Sequence, residues 1–280
     1  MIGFFNVNKP QGITSAQVVA KVKKLCPKGT KVGHFGTLDP MASGVLPIAV
    51  GRATRLFNLM QNKQKQYIAT FKFGVSTNTL DATGEIDGNS NIIPTKQQIL
   101  DVLPKFRGKI MQMPPNFSAK MINGKRAYDL ARNGKEVILK PCEVEIFEII
   151  LLEQTSKDEF KFSITCGSGT YIRSLGRDIA KGLNSLAIMT SLVRTKTGAF
   201  KLEEATNLND LTINDLVGID VVLPDYKKVE ISDANLLLLL QGKTVKFNLE
   251  DGNYLVYNND NIQLLLNIKD KCSNNKIWLK

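Results

Sequence analysis

Apolar residues recur along the chain with two different periods, which predict a mixture of strands and helices. At residues 67–75, YIATFKFGV, every second side chain is apolar or aromatic, as on the buried face of a strand. At residues 15–25, SAQVVAKVKKL, the apolar residues have helical spacing behind the cap candidates Thr14 and Ser15, which predicts a capped helix. The run VLPIAV at residues 45–50 has the β-branched, apolar character of a buried strand.

The same periods predict four more elements between residues 95 and 183. VEIFEIILLEQ (144–154) and EFKFSITC (159–166) are expected to be adjacent strands. TKQQILDVLPKF (95–106) has helical spacing, with Pro104 near its end. GSGTYIRSLGRDIAKGL (167–183) places Ile172, Leu175, Ile179 and Leu183 on one helical stripe. Because these elements lack the regular strand–helix alternation of a parallel sheet, the pattern predicts an α+β fold with a mixed, mainly antiparallel central sheet and flanking helices.

After residue 226 the pattern changes to short strand-like pieces separated by turn residues. The pieces are KTVKF, NYLVYN, IQLLLNI and KIWLK. About 50 residues are too few for a large core of their own. The sequence therefore predicts a large domain at residues 1–225 and a small β-rich C-terminal module at residues 226–280.

The charge of the chain points to its kind of partner. Lysine and arginine outnumber aspartate and glutamate by 37 to 26, a net charge of +11. The basic residues form three groups, Lys21, Lys23, Lys24, Lys28 and Lys31, then Lys63 and Lys65, and then Lys120, Lys125, Arg126, Arg132 and Lys135. Clustered cations neutralise phosphates and release counterions, so this distribution favours a nucleic-acid partner over an ordinary basic surface.

Several common chemistries are excluded by the residues that the sequence lacks. His34 is its one histidine and its four cysteines form no CxxC pair, so neither a zinc site nor a Ser-His-Asp site is expected. Gly242-Lys243-Thr244 resembles the end of a phosphate-binding loop, but Leu237 stands where the first glycine belongs. We therefore expect activity without a metal or a nucleotide cofactor.

The location of the protein is also constrained by the sequence. No apolar run is long enough to span a membrane, and the N-terminal MIGFFNVNKPQG lacks the features of a secretory signal. Scattered cysteines are typical of a reducing compartment. We expect a cytoplasmic protein with no membrane partner.

The stretch GHFGTLDPMASGVLPIAVG, residues 33–51, carries the strongest candidate for chemistry. Asp39 lies between the flexible Gly36 and the rigid Pro40, just before the predicted strand, and His34 opens the stretch. A carboxylate fixed on a tight loop can be presented to a substrate. The residues alone leave a second interpretation open, a turn in which Asp39 caps backbone N–H groups. For an arbitrary Asp-Pro pair, this turn is the favoured interpretation.

Six blocks between residues 3 and 200 resemble the bacterial TruB-type tRNA pseudouridine synthases, in the order found in that family. They are NKPQGITS, GHFGTLDPMASGVLPIAVGRATR, KQYIATFKFGVSTNTLDATG, MPPNFSAKMINGKRAYDLAR, CGSGTYIRSLGRDIA and LVRTKTGAF. The resemblance implies the pseudouridine synthase fold, with an RNA-gripping insertion near residues 112–140 of a catalytic domain. It also implies that residues 226–280 form a reduced PUA-like RNA-binding domain.

The resemblance further implies an activity and a set of site residues. The family isomerises uridine 55 to pseudouridine in the T arm of tRNA, by base flipping and without a cofactor. By resemblance, Asp39 is the nucleophile, Tyr67 stacks on the target base and takes part in proton removal from C5, and Arg173 pairs with Asp39. Substrate contacts are implied for His34, Tyr171, Leu192, Arg55, Lys120, Lys125 and Arg126. We expect a monomer that binds the T arm of tRNA.

Two other functions stay open at this point. One is a non-catalytic RNA-binding protein or tRNA-folding chaperone that uses the same basic surface. The other is a hydrolase with paired carboxylates, Asp39 and Asp81, one of them a general acid or base. The hydrolase hypothesis leaves the basic clusters unexplained.

Overall fold

The computed structural model describes residues 1–117, 121–122, 125–126 and 139–280, with only the backbone of residues 121–122 and 125–126. Among these residues the helices are α1 (Ser15–Lys23), α2 (Phe57–Gln61), α3 (Lys96–Val102), α4 (Ile172–Gly182), α5 (Ile219–Val222) and α6 (Asp233–Leu240). Short 3-10 turns are found at Gly51–Leu56, Leu103–Phe106, Leu202–Glu204 and Ile213–Asp215. Helix α1 begins at the predicted cap, because the Thr14 hydroxyl accepts a hydrogen bond from the Gln17 N–H.

The strands of the described chain belong to one large sheet, one small sheet and two short hairpins. They are β1 (Gly3–Lys9), β2 (Val32–His34), β3 (Ser43–Val50), β4 (Lys65–Phe73), β5 (Val75–Thr77), β6 (Ile86–Asn89), β7 (Gly108–Gln112), β8 (Met121–Ile122), β9 (Lys125–Arg126), β10 (Cys142–Gln154), β11 (Glu159–Cys166), β12 (Ala187–Thr197), β13 (Phe200–Lys201), β14 (Thr206–Asn207), β15 (Leu216–Val217), β16 (Lys227–Glu230), β17 (Gly252–Asn258), β18 (Asn261–Lys269) and β19 (Cys272–Trp278).

The large sheet has the order β14-β1-β3-β12-β4-β11-β10-β7, with β2, β13 and β15 paired to β3, β12 and β1. Along this order the pairs β1–β14 and β3–β12 are parallel, and the others are antiparallel. The predicted α+β fold with a mixed, mainly antiparallel sheet is thus confirmed. The predicted neighbours β10 and β11 do pair, and Pro104 lies in the 3-10 turn that follows the end of α3.

Helix α4 packs closely on the middle of the large sheet, and this contact positions the candidate site. A Cβ atom at Gly176 would lie 2.5 Å from ring atoms of Phe71 on β4, so only glycine allows the helix to come this near. The predicted apolar stripe of α4 is buried at Ile172, Leu175 and Ile179. Arg173, in the first turn of α4, thereby reaches Asp39 in the loop between β2 and β3 and the Thr79 carbonyl oxygen after β5.

The small sheet, β16-β17-β18-β19, lies in the C-terminal part of the chain. The predictions of strands at NYLVYN and IQLLLNI are confirmed as β17 and β18, and KIWLK overlaps β19. The prediction of a strand at KTVKF is wrong. That segment reaches the sheet through one isolated bridge, between Lys246 and Cys272, and then turns away from the edge.

The small sheet packs against the large one through a shared apolar cluster. Leu255, Leu265 and Leu279 are buried together with Phe4 and Phe35 of the N-terminal part. No helix in the described part of the chain has the length and apolarity that a membrane crossing requires.

Candidate active site

Asp39 lies in the loop between β2 and β3, and α1 holds the backbone beside it. The Ser15 hydroxyl, near the start of α1, accepts a hydrogen bond from the Leu38 N–H at 2.9 Å and lies 3.0 Å from the Leu38 carbonyl oxygen. The Asp39 carbonyl accepts the Ala42 N–H at 3.0 Å, which closes a turn at the Asp-Pro step. The turn expected from the sequence is therefore present, and it leaves the carboxylate available for other contacts.

Lys9, at the end of β1, fixes the other side of this loop. Its ammonium group is buried and donates to the carbonyl oxygens of Pro10, Ile13 and Pro40, at 2.9, 2.8 and 3.3 Å. Burial lowers the pKa of Lys9 to about 8, although the nearby Asp39 charge opposes this shift. Sequence reasoning missed Lys9 because a lysine at a strand end is ordinarily solvated.

Arg173, in the first turn of α4, forms an ion pair with Asp39. Its Nε lies 2.9 Å from Asp39 Oδ2. The other guanidinium nitrogens donate to the carbonyl oxygens of Thr79 (2.8 Å) and Phe117 (3.0 Å). Arg173 is thereby held in one orientation by backbone groups from two separate loops.

Asp81 is a second buried carboxylate next to the same arginine. Its Oδ2 lies 3.5 Å from Arg173 Nη1, and its Oδ1 accepts hydrogen bonds from the Thr79 hydroxyl, the Thr83 hydroxyl and the Thr83 N–H. The preceding Leu80 adopts a φ of 62°, a left-handed conformation that is strained for leucine. Asp81 therefore contacts Arg173 from a tightly bonded turn.

The Asp39 carboxylate remains partly open to solvent, whereas its two neighbours do not. The Asp39 side chain is 33% exposed, compared with 7% for Arg173 and 5% for Asp81. Burial raises the pKa of Asp39, the Arg173 charge and hydrogen bond act against this, and the Asp81 charge adds to it. The arrangement is a single accessible carboxylate that is oriented by a buried cation.

Tyr67 and Leu192 lie on the two central strands next to this loop. On β4, Tyr67 shares its buried face with Ala69, Phe71 and Phe73, as the alternation predicted. Leu192 on β12 pairs with Ala69, and both belong to the same buried cluster as Tyr67. Burial raises the pKa of Tyr67, while Arg194 lowers it through its charge and a side-chain hydrogen bond.

Two buried cations lie near Tyr67: Arg194, which sequence reasoning did not single out, and Lys65, which it placed in a basic group for nucleic acid and which is instead buried. Arg194 lies opposite Tyr67 in the pairing of β12 with β4, and its side chain is fully enclosed. Lys65 is on the same face of β4 as Tyr67, and burial lowers its pKa to about 8. Strand alternation contained the signal, because position 65 is two residues before Tyr67 and position 194 is two residues after Leu192.

The remaining predicted residues occupy different places. Tyr171 immediately precedes α4, and its N–H donates to Gln112 Oε1 at 2.8 Å. His34 ends β2 opposite Ile48 of β3. Arg55 does not contact the Asp39 group; its Nη1 donates to the Trp278 carbonyl oxygen at 2.8 Å.

Three predicted RNA contacts cannot be located by their side chains. Lys120 lies outside the described residues, as does most of the predicted insertion at residues 112–140. Lys125 and Arg126 form β9, which pairs with β8, and their side chains are outside the described part. Elsewhere in the described chain, no three His, Cys, Asp or Glu residues are grouped closely enough to hold a metal ion.

The fold of this chain is shared with protein chains of two solved complexes. It superposes on a chain of "Crystal Structure of a Cbf5-Nop10-Gar1 Complex" with a TM-score of 0.71 and 26% identity, covering 99% of this chain and 84% of that one. A chain of "Structure of H/ACA RNP bound to a substrate RNA containing 2'-deoxyuridine" gives a TM-score of 0.71 at 23% identity, covering 99% and 85%. The shared architecture places this chain in one fold class with these proteins.

Sequence comparisons identify the family within this class. The model of the "TruB family pseudouridylate synthase (N terminal domain)" matches residues 23–172. The "tRNA pseudouridine synthase B" of Rickettsia akari (strain Hartford) is 41% identical over 256 residues, 89% of this chain and 87% of the relative. That of Syntrophomonas wolfei is 41% identical over 254 residues, 88% and 85%. The chain belongs to the TruB family of pseudouridine synthases, which confirms the resemblance found in the sequence and its interpretation as an enzyme.

Proposed function

We propose that this enzyme converts uridine 55 in the T arm of tRNA to pseudouridine, with Asp39 as its nucleophile and without a cofactor. The relatives named tRNA pseudouridine synthase B support tRNA as the substrate. The observation that carries the proposal is the ion pair of Asp39 and Arg173, in which the carboxylate is accessible and the guanidinium is buried. A nucleophile needs this combination, because it must stay ionised and still reach the substrate.

The reaction requires the bond from C1′ of the ribose to N1 of uracil to break and a bond from C1′ to C5 to form. In one route the Asp39 carboxylate attacks C1′ and uracil leaves through N1; in the other the carboxylate adds to C6 of the base. Both routes need an ionised carboxylate aimed at an extruded nucleotide. Arg173 aims the carboxylate and opposes the effect of burial on its pKa, because an opposite charge at 2.9 Å favours the charged form.

Tyr67 is proposed to stack on the flipped base and to accept the proton that C5 loses after the new bond forms. Tyr171 and Leu192 form the pocket around the base, and His34 lies where the RNA strand enters. These roles fit the enclosed position of Tyr67 and Leu192 beside the Asp39 loop. Extruding the base costs stacking energy, which an enclosed apolar pocket with an aromatic platform offsets.

The basic residues are proposed to hold the RNA backbone. Lys120, Lys125 and Arg126 of the insertion contact phosphates of the T arm, and Arg55 contributes from the Gly51–Leu56 turn. Residues 1–225 then act as the catalytic domain and residues 226–280 as a reduced PUA-like RNA-binding module. We further propose that the protein acts as a monomer in the cytoplasm.

The hydrolase hypothesis is disfavoured by the surroundings of Asp81. A general acid or base must exchange protons with substrate or water, but Asp81 is buried and both of its oxygens are engaged. Asp81 instead serves as a counter-ion for the buried Arg173. The two carboxylates thus have unequal positions, one open and one closed.

A tritium-release assay with tRNA transcript labelled at C5 of uridine tests the proposal. The wild-type protein is expected to release tritium from one uridine per tRNA, and mapping should locate pseudouridine at position 55. A transcript with cytidine at position 55 should release none. Release from another position would contradict the site, and no release at all with retained binding would favour the non-catalytic RNA-binding alternative.

The Asp39→Asn variant tests the nucleophile with a matched control. Asp39→Asn is expected to abolish release while leaving tRNA affinity within about threefold, since phosphate contacts supply most of the affinity. Asp158→Asn is the control, because the Asp158 side chain is also 33% exposed and ion-paired, with Lys72. Asp39→Asn activity within about tenfold of the control would remove Asp39 from its proposed role.

A further inference from the structure

Arg194 is a buried arginine that the reaction proposed above does not use. Its side chain is 1% exposed, and among the described residues no carboxylate forms an ion pair with it. Burying a charge without a counter-ion is costly unless hydrogen bonds replace those made to water. Arg194 obtains these bonds from the backbone, because its Nε donates to the Val45 carbonyl oxygen at 2.8 Å and its Nη2 to that of Gly36 at 3.0 Å.

The loop that carries Asp39 is built closely around this side chain. A Cβ atom at Gly36 would lie 3.3 Å from Arg194 Nη1, and Gly36 has a φ of +82°. A Cβ atom at Gly44 would lie 2.3 Å from the Arg194 carbonyl oxygen. Both positions therefore require glycine: Gly36, in the Asp39 loop, lies against the Arg194 side chain, and Gly44, on β3 after the loop, lies against the Arg194 backbone.

The same guanidinium faces Tyr67 from the neighbouring strand. Arg194 and Tyr67 are directly opposite in the antiparallel pairing of β12 and β4, where cross-strand side chains lie side by side. Both side chains are buried, so an interaction between them is weakly screened by solvent. Arg194 thus touches the Asp39 loop through Gly36 and faces Tyr67 at the same time.

Two other ionisable groups near Tyr67 act against a negative charge on its oxygen. Cys166 on β11 and Asp39 in the loop raise the pKa of Tyr67, as burial does, whereas Arg194 lowers it. Lys65, on the same strand as Tyr67, interacts with Arg194 and Cys166. Arg194 is therefore the group placed to favour the phenolate form.

We propose that Arg194 is a positioning residue for proton removal: it orients the Tyr67 hydroxyl, stabilises the Tyr67 phenolate, and holds the Asp39 loop at a fixed distance from it. In that step the C5–H bond breaks, its electron pair returns to the ring, and the proton moves to the Tyr67 oxygen. This inference rests on the role proposed for Tyr67 above. It adds a third residue that couples the nucleophile's loop to the base.

The coupling can be measured without any turnover, by ¹⁹F NMR of protein labelled with 3-fluorotyrosine. The chain has six tyrosines, and the signal that disappears in Tyr67→Phe is that of Tyr67. In Arg194→Gln, which removes the charge, the titration midpoint of this signal is expected to rise by about one pH unit or more. Arg194→Lys, which keeps the charge, should shift it less. An unchanged midpoint in folded Arg194→Gln would overturn the proposal.

Activity provides a second readout that a purely structural role would not move. Arg194→Gln is expected to lower kcat by about 10²-fold with little change in KM, and to move the pH limb for Tyr67 ionisation upward by the shift seen in the fluorine signal. Arg107→Lys is the control, since Arg107 also donates to a carbonyl oxygen, that of Ile149, but lies near the surface. Equal decreases of kcat in both variants would contradict a specific role.

Two further results keep the inference separate from folding and from the proposed function. If the Arg194 variants do not fold, Tyr67→Phe with Arg194 intact gives the answer, because the guanidinium ¹⁵N–¹H signals of Arg194 should move when the hydroxyl is removed. Unmoved signals would refute the contact. If the wild-type enzyme forms no pseudouridine, the proposed function fails, while the fluorine titration still decides whether Arg194 controls Tyr67.

Discussion

Arg173 Nε lies 2.9 Å from Asp39 Oδ2, and the two partners differ sharply in exposure, at 7% and 33% of their side chains. The cation is held by the protein and the anion is open on one side. In a surface ion pair both groups would be mobile and the contact would contribute little. Here the buried arginine determines where the carboxylate points.

The geometry of Arg173 should matter more than its charge. Lysine in its place keeps the charge but cannot reach Asp39, Asp81 and two backbone carbonyls at once. We expect Arg173→Lys to lower the single-turnover rate by about 10²-fold or more while tRNA binding stays close to normal. Arg177→Lys, one helical turn further on α4, is the matched control. A rate above a tenth of the control would show that charge alone is sufficient.

Removing the charge of Asp81 should destabilise the site more than the fold. Asp81→Asn keeps the oxygen that Thr79 and Thr83 contact but leaves Arg173 with one carboxylate partner. Removing one partner of a buried ion pair lowers the free energy of unfolding by about 3 kcal/mol or more when the other charge is left without a partner. The decrease should be smaller here, because Asp39 still pairs with Arg173. We expect a drop in single-turnover rate larger than the change in the urea midpoint explains. A single-turnover rate equal to that of the wild type would show that Asp81 only stabilises the turn in which it lies.

The sequence predicted four strands of the large sheet, β3, β4, β10 and β11, because their apolar patterns are pronounced, but it did not predict β1, β7 or β12. β4 illustrates this, since Tyr67, Ala69, Phe71 and Phe73 share one buried face. The Asp39 loop was also found, because glycine and proline mark such turns strongly. KTVKF was mistaken for a strand because five alternating residues carry too little information to separate a strand from a loop that touches a sheet edge.

The partners of the site were harder to predict for a physical reason. Asp81 and Lys9 are polar residues at turns and strand ends, where solvent exposure is the usual outcome. Their burial depends on contacts with α4 and with the loop at Pro40, which are distant in the sequence. Arg194 follows the same rule, because its backbone partners lie about 150 residues earlier in the chain. The burial of such residues depends on which distant segments come into contact, and the apolar pattern of the sequence does not specify these contacts.

The rate should fall on the acid side at a higher pH than for an ordinary aspartate. Burial raises the pKa of Asp39 despite Arg173, and the reaction needs the ionised form. As pH falls through this raised pKa, the carboxylate becomes protonated and single-turnover rates decline, whereas above it the rate is independent of Asp39. Affinity for tRNA measured over the same range serves as the control. A limb at the normal aspartate pKa would indicate that Asp39 is better solvated than its position suggests.

Lys65 should make the stability of the protein depend on pH in the alkaline range. Burial lowers its pKa from 10.5 to about 8 in the folded state. Below pH 8 Lys65 is protonated in both the folded and the unfolded protein, so the cost of burying its charge is fully present. Between pH 8 and 10.5 Lys65 keeps its proton only in the unfolded protein, so the free energy of unfolding increases as pH rises.

The Lys65→Met variant isolates this effect. At pH 7 the variant should have the larger free energy of unfolding. As pH rises from 8 to 10.5, the free energy of unfolding of the wild type should increase by about 3 kcal/mol relative to the variant. Urea unfolding of both proteins at several pH values measures the difference, to which Cys166 also contributes because the Lys65 charge lowers the Cys166 pKa. A difference that does not change with pH would mean that the Lys65 amine is hydrated in the folded protein.

The basic insertion should contribute to tRNA binding through its charges rather than to chemistry. Removing one cation from a phosphate lowers the slope of log affinity against log salt by roughly one unit, so replacing Lys125 and Arg126 with glutamine should make the slope shallower by about two and weaken binding. The rate on saturated enzyme should change much less, since Asp39 and Tyr67 are untouched. Binding isotherms over a salt series provide the measurement.

The control for this test removes two charges from the β10–β11 hairpin. Lys157 lies in the turn between the two strands, and Lys161 on β11 pairs with Thr70 of β4. Their replacement with glutamine should leave the salt slope close to that of the wild type, because Lys157 lies beyond the paired end of β4 and the Lys161 charge is already engaged in an ion pair with Glu153. If both double variants change the slope equally, the effect is one of net charge. If the insertion variant changes neither slope nor affinity, Lys125 and Arg126 lie outside the RNA interface, and the groups at Lys21–Lys31 become the phosphate contacts to test next.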